Sequence, residues 1–355
     1  MSESLPVSPV PLRTVSAGPR GLWSAVGLEE VETLMLRLAT GQRLDRLGRI
    51  LREHVSSGGN RVRARLALGA AEALGLDRMA AVPWAAACEL MHNATLVHDD
   101  LQDGDRTRRG QEAAWVRHGA AQAINAGDLA LMLPYRVLEH VTTSDAVRWR
   151  LARAIARHAE DVVRGQADEL DLLPTGRYDI SAYTDSVMGK TAALFAMPVH
   201  GAALLAGSDP EAAEAIADAF APIGLLYQVQ DDILDLYGTK GRREPGSDVR
   251  EGKVSALVVE HLALHPEDEP WLIGILRTPR HETRDRDVAE VIRRFRDEGA
   301  LAAAWERLWL IEDLVVESPV LSADTRLHAL AIELVAQALA PIVHTDPTRG
   351  QESLR

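Results

Sequence analysis

Two acidic clusters with the same spacing place the strongest constraint on how this chain can fold. Residues 99–103 read Asp-Asp-Leu-Gln-Asp and residues 231–235 read Asp-Asp-Ile-Leu-Asp, each within an apolar stretch that has helical periodicity. Residues four apart share one face of a helix, so the first and last aspartates of each cluster point the same way. Carboxylates packed this closely repel one another and favour protonation unless a cation neutralises them. The two clusters therefore predict two helices that hold metal.

The type of ligand indicates which metal. Carboxylate oxygens without a Cys or His cage suit Mg²⁺, which keeps part of its water shell and completes its coordination with phosphate oxygens. The pair of clusters therefore points to a diphosphate held by Mg²⁺ between two facing helices. The expected metal ligands are Asp99, Asp100, Asp103, Asp231, Asp232 and Asp235.

Composition narrows the class of protein. The formal net charge of −13 argues against nucleic acid as the main partner, because phosphate backbones are bound by basic surfaces. Cys88 is the single cysteine, so no intrachain disulfide can form and we expect a cytoplasmic location. Residues 1–21 lack a basic start followed by an apolar core, and no run of about 18 apolar residues occurs. We therefore expect neither a signal peptide nor a transmembrane segment.

Helical periodicity dominates the chain and predicts an all-α fold. Apolar residues recur at intervals of three and four, period-two alternation is not evident, and Gly, Pro and Asp/Ser clusters separate the segments. We expect a single large helical bundle around a central active-site cavity over residues 22–344, with flexible tails over residues 1–21 and 345–355. The expected helices cover residues 28–38, 44–55, 61–74, 84–101, 120–141, 146–172, 183–205, 211–236, 253–264, 286–316 and 323–342.

Basic residues follow or precede the acidic clusters along the chain. Arg108 and Arg109 come directly after the first cluster and could bind diphosphate in a bidentate manner, although alone they could equally form a loop that balances the acids. Residues 58–63 place two arginines where a helix begins, which is unfavourable unless an anion binds there. Lys190 and Lys253 are two of only three lysines in the chain. This alternation predicts one diphosphate on metals and a second on basic side chains.

The order of these motifs resembles that of the trans-prenyl diphosphate synthase family, which includes farnesyl and geranylgeranyl diphosphate synthases. The resemblance covers roughly residues 45–260 and implies the all-α isoprenoid synthase fold. Its motifs are Gly58-Gly59-x-Arg61-x-Arg63, His98-Asp99-Asp100-x-x-Asp103, Arg108-Arg109-Gly110, Gly165-Gln166, Gly189-Lys190-Thr191, Gln228-x-x-Asp231-Asp232-x-x-Asp235 and Gly246-x-Asp248-x-x-x-Gly252-Lys253.

The resemblance implies an enzyme that joins an allylic prenyl diphosphate to isopentenyl diphosphate. Three Mg²⁺ ions and basic side chains would stabilise the departing diphosphate, so that the allylic substrate ionises to a cation. Asp99, Asp103 and Asp231 would be the main metal ligands, with the other three aspartates in support. The groups expected on the allylic diphosphate are Arg108, Lys190, Thr191, Gln228 and Lys253. The groups expected on isopentenyl diphosphate are Arg63, His92 and Arg109, with Asn60 beside them.

Two departures from the family pattern affect the second substrate and the cavity wall. Asn60 stands where the family usually has a lysine that helps to hold isopentenyl diphosphate. Asn supplies a hydrogen bond but no charge, and losing a charge-assisted contact typically costs about 1.5–3 kcal/mol. Arg61 or Arg63 could cover this deficit. Asp168 and Glu169 also put two acids where the family commonly has an apolar residue and then Asp.

Three functions compete at this point. The first is a chain-elongating prenyl diphosphate synthase, which the intact Arg63, His92 and Arg109 favour. The second is a terpene synthase-like enzyme that ionises a prenyl diphosphate and then cyclises it or passes it to another acceptor. The third is a non-catalytic subunit of a heteromeric synthase, against which the six intact aspartates argue.

The first acidic helix also carries an expectation about product length. Thr95 and Ala94 lie four and five residues before Asp99, and the resemblance implies that bulky aromatics here would stop growth at fifteen carbons. Met91, eight residues before Asp99, is expected to form the next floor of the tunnel. One more open helical turn of about 5.4 Å admits about one more five-carbon unit. We therefore expect geranylgeranyl diphosphate as the product, and a homodimer formed through long apolar helices.

Overall fold

In the computed structural model, which describes residues 23–42, 44–238 and 245–347, the chain is an all-α bundle, as the periodicity predicts. Its helices are Leu28–Thr40 (α1), Arg46–Ser56 (α2), Val62–Ala73 (α3), Val82–Gln102 (α4), Ala114–His118 (α5), Ala120–Val137 (α6), Asp145–Thr175 (α7), Ile180–Val187 (α8), Ala193–Leu205 (α9), Pro210–Tyr237 (α10), Ser247–Glu251 (α11), Ala256–Leu264 (α12), Glu269–Leu276 (α13), Asp285–Asp297 (α14), Ala300–Val316 (α15), Pro319–Ser322 (α16) and Thr325–Leu339 (α17). None of these helices is both long and apolar enough to span a bilayer.

The polar clusters between the segments begin helices because their side chains cap free backbone N–H groups. Asp209 accepts hydrogen bonds from the backbone N–H groups of Glu211 and Ala212 at 3.1 and 3.0 Å, which starts α10. Ser144 accepts from Val147 N at 3.3 Å and starts α7. The two longest helices of the bundle therefore begin where the sequence predicts a break.

Helix α9 lies at the centre of the bundle. It is rich in Ala and Leu, nearly all of its side chains are buried, and it packs against α3, α4, α7 and α10. Contact with α4 is so close that a Cβ on Gly201 would lie 2.0 Å from the Trp84 ring, whose Nε1 donates to Pro198 O at 2.9 Å. The two helices that carry the acidic clusters, α4 and α10, thus pack against one common helix.

The structure corrects several of the expected boundaries. The helix expected over residues 286–316 is two helices, because Gly299 adopts φ 101° and breaks the chain direction there. Helix α13 and a short hairpin of strands Thr107–Arg108 (β1) and Gln111–Glu112 (β2) were not predicted. The helix expected over residues 183–205 contains a π-helical turn, Met188–Ala192.

The chain ends also differ from expectation where the structure describes them. Trp305 Nε1 donates to Thr345 Oγ1 at 3.2 Å, and Val343–Thr345 forms a 3₁₀ turn. The packed chain therefore continues past residue 344, where the C-terminal tail was expected to begin. Residues 1–21 and 348–355, both expected to be tails, lie outside the described residues.

Candidate active site

The first acidic cluster closes the C-terminal end of α4. Asp103 is the last residue of this turn, and its backbone N–H donates to Asp99 O at 2.8 Å. Its carboxylate accepts a salt bridge from Lys253 Nζ at 2.9 Å. Asp100 is fully buried and accepts from both Nε and Nη2 of Arg108, the former at 2.7 Å. Asp99 is partly exposed.

The second acidic cluster lies in the last turns of α10. Asp232 is buried and accepts three hydrogen bonds, from the Tyr183 hydroxyl at 2.8 Å, Gln228 Nε2 at 2.9 Å and Ala256 N at 2.7 Å. The carboxylate of Asp235 accepts two hydrogen bonds from the first backbone N–H groups of α11, both at 3.1 Å. This contact fixes the α11 loop to α10. Asp231 is the exposed member of the cluster.

The six aspartates therefore divide into two groups by burial and hydrogen-bond partners, although both clusters have the same spacing. The second aspartate of each cluster is buried and bound by protein donors, and Asp235 holds a helix N-terminus. Of the other three, Asp231 is exposed, Asp99 is partly exposed, and the Asp103 side chain is 9% exposed and paired with Lys253. The resemblance implies main ligand roles for Asp99, Asp103 and Asp231, and these roles stay a prediction.

At least one carboxyl in each acidic cluster has a raised pKa. Burial raises the pKa of Asp99 to about 6; Lys190 and Lys253 oppose this shift, whereas Asp103 and Glu169 add to it. Burial likewise raises the pKa of Asp235 to about 6, against the effect of its two backbone hydrogen bonds. A divalent cation would remove this penalty, and the all-oxygen donors suit Mg²⁺. The residues present thus fit the metal that the sequence predicts.

We call the region around Asp99, Asp103 and Asp231 the acidic side. Lys190 reaches this region from the π-helical turn. Its Nζ pairs with Glu169 on α7, and although burial alone would lower the pKa of Lys190, Glu169 and Asp99 raise it. The turn is held between two glycines: a Cβ on Gly165 would lie 2.1 Å from Lys190 N, and a Cβ on Gly224 would lie 2.4 Å from Ala192 Cα. Backbone contact, rather than side-chain packing, therefore sets the position of Lys190.

Thr191 and Gln228 form one hydrogen-bonded chain with the second cluster. Thr191 Oγ1 donates to Gln228 Oε1 at 3.0 Å, and Gln228 Nε2 donates to Asp232 Oδ1 at 2.9 Å. These bonds fix the Gln228 amide in one orientation. Asp232 therefore acts on the site through Gln228.

A two-residue hairpin turn directs the two adjacent arginines, Arg108 and Arg109, to different parts of the site. Arg109 and Gly110 adopt φ 51° and 77°, as a type I′ turn requires. Arg108 ends the strand and reaches Asp100, whereas Arg109 begins the turn in the left-handed conformation and reaches the glycine turn before α3. The guanidinium of Arg109 donates to Gly58 O there. Gly59 adopts φ 127°, which favours glycine, and a Cβ there would lie 2.6 Å from Arg109 Nη2.

Arg63 and His92 line a basic pocket beside this turn. Arg63 Nη1 lies 3.4 Å from His92 Nε2, and the guanidinium stacks 4.9 Å from the centre of the Phe195 ring. Burial lowers the pKa of His92 well below its usual value, and Arg63 and Arg109 lower it further. Arg63 Nε and His92 Nδ1 are buried and without hydrogen-bond partners among the described residues. We define the basic pocket by Arg63, His92 and Arg109.

The residue that departs from the family pattern lies at the edge of this basic pocket. Asn60 is exposed. Arg61 does not compensate for it, because its buried side chain binds Glu32 and Val55 O, each at 2.8 Å. Arg63 keeps its position in the pocket. The contacts of Arg61 therefore favour Arg63 as the residue that covers the missing lysine, and this role stays a prediction.

Comparison with known proteins decides the family. The model of the polyprenyl synthetase family matches residues 44–295. The chain belongs to this family. It is 35% identical over 254 residues to a short chain isoprenyl diphosphate synthase of Methanothermobacter thermautotrophicus, which covers 70% of this chain and 76% of that protein. It is 34% identical over 207 residues to a geranylgeranyl diphosphate synthase of Methanosarcina mazei, with 58% of this chain and 64% of that protein aligned. The chain thus spans slightly less than two thirds of the latter.

A solved structure agrees with the family assignment. The fold matches a polyprenyl synthase from Caulobacter crescentus CB15 with a TM-score of 0.77 at 26% identity, over 88% of this chain and 94% of that one. That protein was crystallised with calcium and isoprenyl diphosphate. As a polyprenyl synthetase, the present chain is a trans-prenyltransferase, and enzymes of this family generally depend on Mg²⁺.

Sequence reasoning missed some residues of this polyprenyl synthetase site. Glu169 pairs with Lys190, whereas the neighbouring Asp168 lies 3.7 Å from Arg177 at an exposed position, so only one of these two acids faces the site. Gly165, four residues before Glu169, could have indicated that Glu169 is the acid that faces the site, because residues four apart share a helix face. Tyr183 gives no such signal, because its contact with Asp232 depends on tertiary packing.

A second group of possible metal ligands lies away from this site. His261, Asp268 and Glu298 place ligand atoms within 4.8 Å of one another. Arg294 Nη1 already binds Asp268 at 2.7 Å and stacks 4.1 Å from the Trp271 ring centre. A cation is therefore already present in this polyprenyl synthetase as an arginine, and we interpret the group as an ionic cluster between α12 and α14.

Proposed function

We propose that this synthase condenses an allylic prenyl diphosphate with isopentenyl diphosphate in the presence of three Mg²⁺ ions, and that its product is geranylgeranyl diphosphate. The observation that carries the proposal is the pair of oppositely charged regions at one site. Asp99, Asp103 and Asp231 offer oxygen ligands on one side, while the basic pocket of Arg63, His92 and Arg109 lies on the other. An enzyme that only ionised one prenyl diphosphate would not need the second region.

The acidic side binds the allylic diphosphate. Bound Mg²⁺ would supply the positive charge that stabilises the leaving diphosphate. Lys190, Lys253 and Arg108 surround the same region and donate hydrogen bonds to diphosphate oxygens as negative charge develops there. Their carboxylate partners hold these cations in place before the substrate arrives, so little reorganisation is needed when the bond breaks.

The basic pocket binds isopentenyl diphosphate. Arg63 and Arg109 supply charge, and the unpaired Nε of Arg63 and Nδ1 of His92 supply hydrogen-bonding capacity. Asn60 adds an uncharged contact at the edge. Because Arg109 and Arg108 are adjacent on one hairpin, the two diphosphates are held at a fixed separation, which presents the double bond of one substrate to the cation formed from the other.

The wall of the tunnel supports a product longer than fifteen carbons. Thr95 shares the Asp99 face and is partly exposed, whereas Ala94 and Met91 are fully buried. Helix α4 packs most extensively against α6. Small residues at positions 94 and 95 would not block a chain that grows along α4, and growth past them would require Met91 to move. Met91 is flexible enough to do so imperfectly.

We also propose a homodimer and a cytoplasmic location. Met132 on α6 and Trp149 on α7 expose 53% and 67% of their surface. Exposed apolar residues on long helices favour a homodimer through this face. Light scattering that showed a monomer at micromolar concentration would contradict it. The single cysteine favours the cytoplasm.

One incubation tests the proposed function. The protein and Mg²⁺ are mixed with farnesyl diphosphate, with and without isopentenyl diphosphate, and the products are identified by mass spectrometry. We expect geranylgeranyl diphosphate only when both substrates are present. Cyclic hydrocarbons or alcohols from farnesyl diphosphate alone would instead indicate a terpene synthase. No turnover in either mixture would indicate a non-catalytic subunit.

A further inference from the structure

Arg280 lies on the loop between α13 and α14 and contacts carboxylates from both halves of the acidic side. Its Nη1 lies 2.6 Å from Glu251 Oε1 and 3.6 Å from Asp105 Oδ1, and its Nη2 lies 3.4 Å from Ser247 Oγ. An open cavity of about 370 Å³ is lined by Asp103, Glu251 and Arg280. The guanidinium therefore lies at the edge of the site, behind groups that face the substrate.

Glu251 connects Arg280 to Lys253. Its side chain is only 3% exposed, and its two oxygens divide their partners. Oε2 lies 3.1 Å from Lys253 Nζ, while Oε1 receives Arg280 and the Ser247 hydroxyl, the latter at 2.7 Å. Lys253 in turn binds Asp103 at 2.9 Å. One buried carboxylate is thus shared between a catalytic cation and Arg280.

The loop that carries Arg280 is fixed by its own hydrogen bonds. The backbone N–H groups of Glu282 and Thr283 donate to Pro279 O at 2.8 and 3.1 Å. Arg250 on α11 donates to Thr283 O at 3.0 Å and to Asp285 at 2.8 Å. Arg280 is therefore presented to Glu251 from a defined position, and its contact does not depend on a freely moving loop.

The charges indicate what the contact does. Lys253 faces three carboxylates within 4 Å, of Asp103, Asp248 and Glu251. A buried carboxylate that loses one cation attracts the remaining one more strongly. If Arg280 were absent, Glu251 would draw Lys253 away from Asp103 and from a substrate diphosphate.

We propose that Arg280 is a positioning residue of the synthase, which neutralises Glu251 and thereby leaves Lys253 available to the allylic diphosphate. This inference rests on the proposed function of Lys253. Through Asp105, which also lies 3.7 Å from Arg108, the same guanidinium acts on the cation at the other end of the diphosphate site.

Steady-state kinetics with a matched control test the proposal. Arg280→Gln keeps a polar side chain but removes the charge, and we expect kcat to fall about tenfold with KM for isopentenyl diphosphate unchanged. Arg280→Lys should give an intermediate value, because one ammonium can reach Glu251 but cannot also bridge to Asp105. The control is Arg284→Gln on the same loop, which removes an exposed pair with Asp287 and should leave kcat unchanged.

A second background distinguishes positioning from loop stability. In the Glu251→Gln protein, the added Arg280→Gln change should alter kcat by less than about twofold, because no competing charge remains. An equal loss in both backgrounds would overturn the proposal. So would an unchanged kcat with a lower melting temperature, which would assign Arg280 to loop stability alone.

The scarcity of lysine allows a readout that does not depend on turnover. Lys190, Lys240 and Lys253 are the only lysines in the chain, so reductive ¹³C-methylation of the metal-free protein gives few NMR signals, and Lys253→Arg assigns one. Arg280→Gln should shift the Lys253 signal, and Arg284→Gln should not. An unshifted Lys253 signal in Arg280→Gln would overturn the proposal. If the wild type fails to use isopentenyl diphosphate, the proposed function fails, yet this measurement still decides the role of Arg280.

Discussion

The acidic side and the basic pocket differ in how far each is neutralised by its own protein. Among the carboxylates, Asp103 already binds Lys253, and Lys190 lowers the pKa that burial raises at Asp99. In the basic pocket, Arg63 and His92 lie beside each other, and buried nitrogens of both have no partner among the described residues. The cations of the acidic side therefore have direct carboxylate partners, whereas in the basic pocket Glu89 acts on Arg63 and Arg109 but leaves buried nitrogens of Arg63 and His92 without hydrogen bonds to the described residues.

The difference indicates which substrate supplies charge that the fold lacks. The lysines of the acidic side must exchange one set of oxygens for another when diphosphate and metal bind. In the basic pocket, burial lowers the pKa of Arg63 and of Arg109, and the Glu89 carboxylate opposes this. A bound diphosphate would add further counter-charge, so each cation there should contribute directly to substrate affinity. Substitutions on the acidic side should thus act mainly on turnover, and those in the basic pocket on KM.

The largest expected effect comes from removing an accessible aspartate. Asp99→Ala or Asp231→Ala should lower kcat by about a thousandfold, because the charge that stabilises the leaving diphosphate is lost in the transition state. Helicity by circular dichroism should be unchanged. Asp218→Ala on the exposed face of α10 is the matched control and should be near wild type. Near-wild-type turnover in Asp99→Ala at saturating Mg²⁺ would contradict the assignment of Asp99 as a metal ligand.

A smaller and opposite effect is expected at the edge of the basic pocket. Asn60→Lys restores a cation beside Arg63 and Arg109 and should lower KM for isopentenyl diphosphate by about tenfold, the value of a charge-assisted hydrogen bond. Product identity should not change. Asn60→Gln, which lengthens the side chain without charge, serves as the control. If the wild type, Asn60→Lys and Asn60→Gln have the same KM for isopentenyl diphosphate, this substrate does not bind in the basic pocket.

Acid should affect the stability of the two regions in opposite directions. The raised pKa of Asp99, about 6, means that the folded metal-free protein binds this proton more tightly, so that stability is present at low pH and lost as pH rises through 6. Burial and neighbouring arginines lower the pKa of His54, next to the basic pocket, to about 3. This group stabilises the protein above pH 6.5, and that stability is lost as pH falls toward 3.

Melting temperatures of the metal-free protein between pH 4 and 8 check these slopes. Asp99→Asn should remove the loss of stability near pH 6, and His54→Gln should reduce the loss on the acid side. The wild type is the reference at every pH. Identical pH profiles for the wild type and both variants would show that neither group titrates as its surroundings indicate.

The smallest effect on rate is expected in the apolar wall, which carries no charge. Ala94→Phe should shorten the product to fifteen carbons while kcat for the first condensation changes little, and Met91→Ala should lengthen the product. Chromatography of the products checks both. Ala87→Phe, at a buried position farther from the ligands on the same helix, controls for general disruption of packing. A wild-type product from Ala94→Phe would mean that the chain does not grow along α4.

The sequence predicts the helices and the ligand types here because both depend on local spacing. Spacing alone cannot separate Asp231 from Asp232, which only the family resemblance distinguished, since these adjacent aspartates differ in what Tyr183 and Ala256 bring to Asp232 after folding. Arg280 was missed for the same reason: its contacts with Asp105 and Glu251 join segments far apart in the chain. Gly299 is different, because a glycine within the expected helix over residues 286–316 is a local signal for a break. The helical periodicity on both sides outweighed that signal.

The π-helical turn between Gly165 and Gly224 has a consequence for how this enzyme can diversify. A gene under selection for a longer or shorter product can alter Ala94 or Met91 one at a time, because side chains there only fill space. No comparable series of small steps exists at the turn, where a single added methyl group would meet the backbone of Lys190 or Ala192. Descendants of this gene should therefore vary in what they make long before they vary in how they break the first bond.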